Sequence, residues 1–344
     1  MASQQKVPYI FDGNLCLECG NIDESSAMEF DEATIKFNQI FQPGLIEESL
    51  AVVNDKKRFV YYTSADTAMK VLRNQELWFR NATVMNDYSE ISYGLGLIGS
   101  VFSGDEGVRF RNAVEDIYSG TIEKAGELLA GWERDWELET YIACVSVHNP
   151  EEDRQGRLSM WRAYGDTALV VNNTPMTAIT NLLAVFSIPV LYLSEKGLSD
   201  YLSKITDAVL INRTYLQGLG QEKLVACIHN MLFRFAIATK HPGFAEEKEW
   251  RLFYRPTERE SPGMAEETVV LGGVPQKIYK LRLADEPENG LHGADIPSLL
   301  DRIIVGPTEF PYVSYQAFAG VLAEMGVEGA ADKVVLSDIP LRTR

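Results

Sequence analysis

Histidine is scarce in this chain, with 4 in 344 residues. No serine stands in a Gly-x-Ser-x-Gly elbow, so Ser–His or Cys–His nucleophilic chemistry has little to draw on. Cysteine is equally sparse at 4 residues, which is no disulfide framework for a chain of this length and fits a reducing, cytoplasmic setting. Positive charge is in deficit: 32 Lys and Arg stand against 49 Asp and Glu, a net charge of −17. A surface that tracks phosphates needs clustered cations, so no broad nucleic-acid surface is expected, while a local basic pocket is still allowed. No apolar run is long enough to cross a bilayer, and no membrane partner is expected. The opening Met1-Ala2-Ser3-Gln4-Gln5-Lys6 lacks the charged-then-apolar order of a secretion signal.

What is present is ordinary globular composition, 46% hydrophobic and 24% charged, in a chain long enough to bury a sizeable core. Residues 1–57 read as an appendage to a main domain over 58–344. The appendage holds Cys16-Leu17-Glu18-Cys19-Gly20, half of a zinc knuckle by spacing. Cys144, Cys227 and the histidines are not arranged to supply the other half, so no metal is expected there. Apolar positions from Ile35 through Ile40, Leu45 and Leu50 predict one or two short helices.

The main domain opens on Phe59-Val60-Tyr61-Tyr62, dense in β-branched and aromatic residues and therefore a strand. Thr63-Ser64-Ala65-Asp66 offers capping oxygens to a helix reaching about Arg73. Further strands are expected at Leu77-Trp78-Phe79, 141–147, 168–171, 189–193, 250–254, 278–281, 302–305 and 333–336. Amphipathic helices are expected with faces Leu198, Tyr201, Leu202, Ile205, Val209 and Leu224, Ile228, Met231, Leu232, Phe235. Strands and helices lack a steady βαβ rhythm, which predicts an α+β fold: a mixed, mainly antiparallel sheet with flanking helices.

Three segments put polar groups and large aromatics beside strand ends. They are Tyr61-Tyr62-Thr63-Ser64 with Asn86-Asp87 and Glu90; Ser146 with Ser159-Met160-Trp161-Arg162; and His241 leading into Glu247-Lys248-Glu249-Trp250-Arg251. If 247–254 is one strand, alternation places Glu247, Glu249 and Arg251 on one face. Two carboxylates beside an Arg suit a sugar hydroxyl and a developing oxocarbenium. The bland counterpart is a solvated edge strand carrying cross-strand ion pairs, with Arg162 lying along an aromatic and Ser64 serving only as a cap.

The ordered set Tyr61-Tyr62-Thr63-Ser64, Leu77-Trp78-Phe79, Asn86-Asp87-x-x-Glu90, Cys144-x-Ser146, Leu158-Ser159-Met160-Trp161-Arg162 and Lys240-His241 through Arg251 resembles the bacterial domain-of-unknown-function 2971 family, from about Arg58 to the C-terminus. The opening strand–helix–strand also resembles ADP-ribosyltransferase folds. That second resemblance implies NAD as substrate, a nucleotide-like small-molecule partner, and cleavage of the nicotinamide–ribose bond in a defence or toxin setting. Glu249 would stabilise the oxocarbenium and Glu247 would deprotonate the acceptor. Tyr62 and Trp78 would wall the nicotinamide, Ser64 or Ser146 would hold the ribose or amide, and Arg162 beside Trp161 would meet the pyrophosphate. Tyr61 stands where those folds carry His, with Arg58 three residues earlier as a substitute. Two further classes stay open: a non-catalytic ligand-binding protein, and a metal-dependent phosphodiester enzyme using Asp87, Glu90 and the late Glu pair.

Overall fold

The computed structural model describes residues 32–84, 89–174, 182–257 and 260–340. Its strands, in chain order, are β1 (Arg58–Thr63), β2 (Glu76–Asn81), β3 (Tyr141–His148), β4 (Thr167–Val171), β5 (Val185–Pro189), β6 (Leu191–Tyr192), β7 (Thr239–Lys240), β8 (Glu249–Tyr254), β9 (Met264–Leu271), β10 (Val274–Arg282), β11 (Leu300–Val305) and β12 (Val334–Leu336). The α-helices are α1 (Glu32–Phe41), α2 (Leu45–Asn54), α3 (Ala65–Asn74), α4 (Ser89–Ser103), α5 (Asp105–Glu115), α6 (Thr121–Glu139), α7 (Leu158–Tyr164), α8 (Glu195–Ile211), α9 (Arg213–Leu219), α10 (Gln221–Ala238), α11 (Ile296–Leu299) and α12 (Pro311–Glu324). The described parts of Met1–Leu50, Asn81–Thr140 and Ile188–Ala245 make a helical unit. Those of Ala51–Arg80, Tyr141–Ser187 and Glu246–Arg344 make a sheet unit.

The sheet unit is α+β. Its strand order is β12-β11-β4-β1-β3-β2-β10-β9, with β8 on β3 and β5 on β8. The pairings β1–β3, β1–β4, β4–β11, β3–β8, β2–β10 and β9–β10 are antiparallel, and β11–β12 is parallel. Alternation along β1 sorts its side chains to two faces. On one face Val60 and Tyr62 join Ala168, Val170 and Ile304 under Met160 and Trp161 of α7. On the other, Leu169, Ile303 and Val305 pack with Ala68 and Leu72 of α3 and with Phe318, Val321 and Leu322 of α12. Phe59, Val145 and Trp250 continue that second face. Each fully buried Leu, Val or Phe contributes about 1.5–3 kcal/mol of transfer free energy.

Local chemistry sets the element ends. Ser64 caps α3, its hydroxyl accepting from the Thr67 N–H at 3.2 Å, a contact that stabilises by about 1 kcal/mol. Gly272 and Gly273, at φ 58° and 82°, form the two-residue turn of the β9–β10 hairpin. A turn with positive φ at both positions matches strand twist, and glycine adopts it without a Cβ penalty. The sequence reading found the β10 strand and missed β9, whose Glu266 and Glu267 break the apolar pattern.

In the helical unit, Leu198, Leu202, Ile205 and Val209 of α8 are buried, as are all five predicted face residues of α10. From Met231 to Ala238 every residue of α10 is buried, the pattern of a central helix. A Cβ at Gly94 of α4 would meet the Ala236 carbonyl oxygen at 2.5 Å, so glycine sets the α4–α10 approach. The helices α5 and α6 are separated at Gly120, where φ is 79°. Cys16 and Cys19 lie outside the described residues.

Candidate functional site

Directly opposed residues of an antiparallel ladder present their side chains to the same face. Val60 opposes Ser146, Ser146 opposes Glu249, Cys144 opposes Arg251, and Arg58 opposes His148. The sheet face on which α7 packs therefore carries Arg58, Tyr62, Ser146, His148, Glu249 and Arg251, with Trp161 against Tyr62. Glu249 accepts from Arg251 Nε at 2.7 Å. Ser146 is 2%, Glu249 7% and Arg251 1% exposed, so this ion pair is shielded from water, and its Coulomb interaction is screened far less than at a surface.

The expected strand over 247–254 needs correction at its start. Glu247 ends a 3-10 turn, Lys248 takes a left-handed backbone at φ 46°, and the strand begins at Glu249. The left-handed residue interrupts the period of two, so alternation does not carry Glu247 onto the Glu249–Arg251 face. Nor is β8 a solvated edge strand. It lies between β3 and β5, and all six of its residues are buried. The two carboxylates thus have different surroundings, because Glu247 Oε1 accepts instead from the Tyr164 hydroxyl at 3.2 Å.

A charged network surrounds the strand ends. Its centre is the loop after β3, where Asn149 and Glu152 form a capping box. Glu152 receives both Arg157 Nη2 at 2.8 Å and Arg157 Nε at 3.1 Å. Arg157 also donates to the Val147 carbonyl at 3.0 Å and the Glu247 carbonyl at 2.7 Å, tying the β3 end to the turn before β8. Nearby, Asp153 takes Arg58 Nη2 at 2.6 Å and His148 Nε2 at 2.8 Å. Asp301 receives Arg58 Nη1 at 2.6 Å and Arg302 Nε at 2.7 Å.

Burial pushes the His148 imidazolium below its ordinary range, with the Arg58 charge acting the same way and Asp153 opposing. Burial alone would raise the Asp301 carboxyl, but hydrogen bonds from Arg302 and Arg58 outweigh it, so it lies below its usual value. Burial also raises the Tyr62 phenol, an effect that the Arg157 charge offsets only in part. The buried Tyr62 hydroxyl lies beside the Arg157 backbone N–H and has no hydrogen-bond partner among the described residues.

Trp161 is fixed from three sides. Its ring meets Tyr62 edge-on at 4.8 Å between centroids, and its Nε1 donates to the Gln155 carbonyl at 2.9 Å. Cβ atoms at Gly156 and Gly306 would come within 2.2 and 2.8 Å of the ring. The other predicted residues lie apart from this group. Tyr61 points to the opposite face, among the α3 and α12 contacts. Ser64 is exposed and engaged as the α3 cap. Half-buried Trp78 lies beneath the Lys280 ammonium, 5.2 Å from the ring centre. Arg162 is exposed on α7, with no hydrogen bond or ion pair among the described residues. Asn86, Asp87 and the Glu90 side chain lie outside the described residues. Among the described residues, no group of three or more His, Cys, Asp or Glu is placed to hold a metal ion.

The segment that supplies most of α7, Glu247 and most of β8 also carries a family likeness. Residues 160–252 match the family described as Protein of unknown function (DUF2971). No curated protein and no solved structure matches the chain. Trp161, Arg162, Glu247, Glu249 and Arg251 fall inside the matched span, whereas Arg58, Tyr62, Ser146, Glu152 and Arg157 precede it.

Sequence reasoning passed over Glu152, Asp153 and Arg157. The Asn149-x-x-Glu152 spacing was available as a capping-box signal. Nothing local marks Arg157 as the residue that joins two strand ends.

Proposed function

We propose that the α7 face of the sheet unit binds a nucleotide-like small molecule and cleaves NAD in the manner of an ADP-ribosyltransferase or NAD glycohydrolase. The observation that carries this reading is the placement of Glu249: buried, paired with Arg251, opposite Ser146, and on the face where Tyr62 and Trp161 meet. A carboxylate in a dry, preorganised setting stabilises positive charge that develops beside it. In the proposed reaction the bond between ribose C1′ and the nicotinamide nitrogen breaks, and its electron pair leaves with nicotinamide. Glu249 stabilises the oxocarbenium through the ribose 2′-hydroxyl. Water or an acceptor group then bonds to C1′ and gives up its proton to Glu247, whose carboxylate meets Tyr164. Ser146 holds the ribose or amide, Tyr62 and Trp161 form the aromatic wall, and the exposed Arg162 fork meets phosphate oxygens.

A second reading, a ligand-binding protein without turnover, draws on the burial of Ser146, Glu249 and Arg251, which lets a small ligand be enclosed without chemistry. Incubation with NAD labelled in the nicotinamide ring, alongside Glu249→Gln, separates the two. Release that falls about 100-fold or more in the variant supports the enzyme. NAD binding by calorimetry without release supports the binding protein. Neither release nor binding refutes both.

A further inference from the structure

The β9–β10 hairpin ends in a ribbon with an open outer edge. The β2 pairing covers Ile278 to Arg282 of β10, so residues 274–277 have β9 as their strand neighbour among the described residues. β9 is itself the last strand on its side of the sheet. Thr268 is exposed, as are Val270 at 66% and Val274 at 51%. From Thr268 to Gln276 the ribbon carries no charged residue, in a chain of net charge −17.

The register identifies the open backbone groups. Leu271 and Val274 flank the Gly272–Gly273 turn, and residues flanking a two-residue turn exchange hydrogen bonds. Alternation then turns the N–H and C=O groups of Glu267, Val269 and Leu271 towards β10, and those of Glu266, Thr268 and Val270 outwards. Two neighbours fit this assignment. The Met264 N–H, one of the outward set, donates to the Ser261 carbonyl at 3.2 Å. Pro275, which has no N–H, falls where β10 turns that group away from β9. Pro275 therefore blocks the free edge of β10 beyond β2, whereas no proline or bulge interrupts β9. The β9 carboxylates are compensated within the hairpin. Glu266 accepts from the Tyr279 hydroxyl at 2.7 Å and pairs with Lys277 at 3.1 Å, and Glu267 pairs with Lys280.

We propose that β9 pairs edge to edge with β9 of a second copy of this chain, antiparallel across a two-fold axis at Val269. In this register Thr268 of each copy exchanges both backbone hydrogen bonds with Val270 of the other. The two Val269 residues oppose each other directly, at the close spacing of a non-hydrogen-bonded pair, with Cα atoms about 4.5 Å apart. Like charge opposes contact between two acidic copies, and this register avoids it. The two Glu267 residues stand roughly 14 Å apart along the strands, beyond the screening length of physiological salt, and the Glu266 residues lie farther still. The same uncharged patch serves both copies, as a two-fold interface requires. The pairing is independent of the NAD reading, since no residue placed in that site lies on β9.

Sedimentation velocity of the full chain across the micromolar range tests it. The sedimentation coefficient of the parent should rise with concentration towards the dimer value. Thr268→Pro removes an outward N–H and leaves the β9–β10 ladder intact, and it should weaken self-association at least tenfold. If Thr268→Pro does not fold, Val269→Glu and Val269→Lys decide. Each alone sets like charges across the axis and should sediment as a monomer, whereas an equal mixture of the two should dimerise. A parent that stays monomeric throughout would overturn the pairing. So would association that Thr268→Pro leaves untouched, or a mixture that associates no better than either Val269 variant alone.

Discussion

Replacing Gly156 by alanine tests whether the loop after β3 is built around Trp161. Gly156 sits at φ 68°, and a Cβ there would come within 2.2 Å of Trp161 Cζ2 and 2.7 Å of Cε2. The left-handed backbone costs a residue with a Cβ about 1–2 kcal/mol. The ring has little room to retreat, with Gly306 packed against it and Nε1 tied to the Gln155 carbonyl. Overpacking of this kind costs a further 1–3 kcal/mol or so, for a total of about 2–5 kcal/mol. Urea denaturation, following the transition of the sheet unit, measures it. Trp161→Ala alone should cost about 3–5 kcal/mol. In the double variant the new methyl meets no ring, so only the backbone cost adds to the tryptophan loss, and the cycle should show about 1–3 kcal/mol of coupling. Gly126→Ala is the control: this glycine is exposed within α6 with nothing near its Cβ position, and alanine there should stabilise by about 0.5–1 kcal/mol. Gly156→Ala within 0.5 kcal/mol or so of the parent would show that the loop does not depend on this contact.

Three further outcomes follow from the same geometry. Lys248 holds φ 46° between Glu247 and Glu249, so Lys248→Gly should leave stability unchanged or raise it by up to about 1 kcal/mol, while Lys248→Val should lower it by a larger amount; chemical denaturation reads both. The folded His148 binds its proton less readily than the unfolded chain does, so its contribution is complete above the ordinary histidine range and is lost as pH falls through that range towards the lowered folded value. Stability should therefore rise with pH there, with a flatter slope in His148→Gln; an unchanged slope would refute the assignment. Burial pushes the Cys227 thiol up to about 12, so peptide mapping after iodoacetamide treatment at pH 8 should find Cys227 unmodified in the native protein and modified in urea, whereas labelling of the native protein would refute it.

The sequence alone determined the strands at β1, β3, β4 and β11 and the faces of α8 and α10, because their burial follows periods that side-chain order encodes directly. It also marked Tyr62, Ser146, Trp161 and Glu249 as residues of interest from type and strand-end position. Tertiary structure alone decided which of them meet. Ser146 faces Glu249 because β3 and β8 pair in one register across more than 100 residues of chain, and a one-residue slip would turn each side chain to the other face. The same pairing made β8 an interior strand, although Glu247-Lys248-Glu249 reads as solvated. One backbone angle at Lys248 separated the two carboxylates that alternation had joined. Arg157 and Arg234 show the same limit from the other side. Each looks like an ordinary surface cation in sequence, and only long-range packing supplies the carbonyls around one and buries the other against Gln42, since desolvation depends on neighbours that no local pattern encodes.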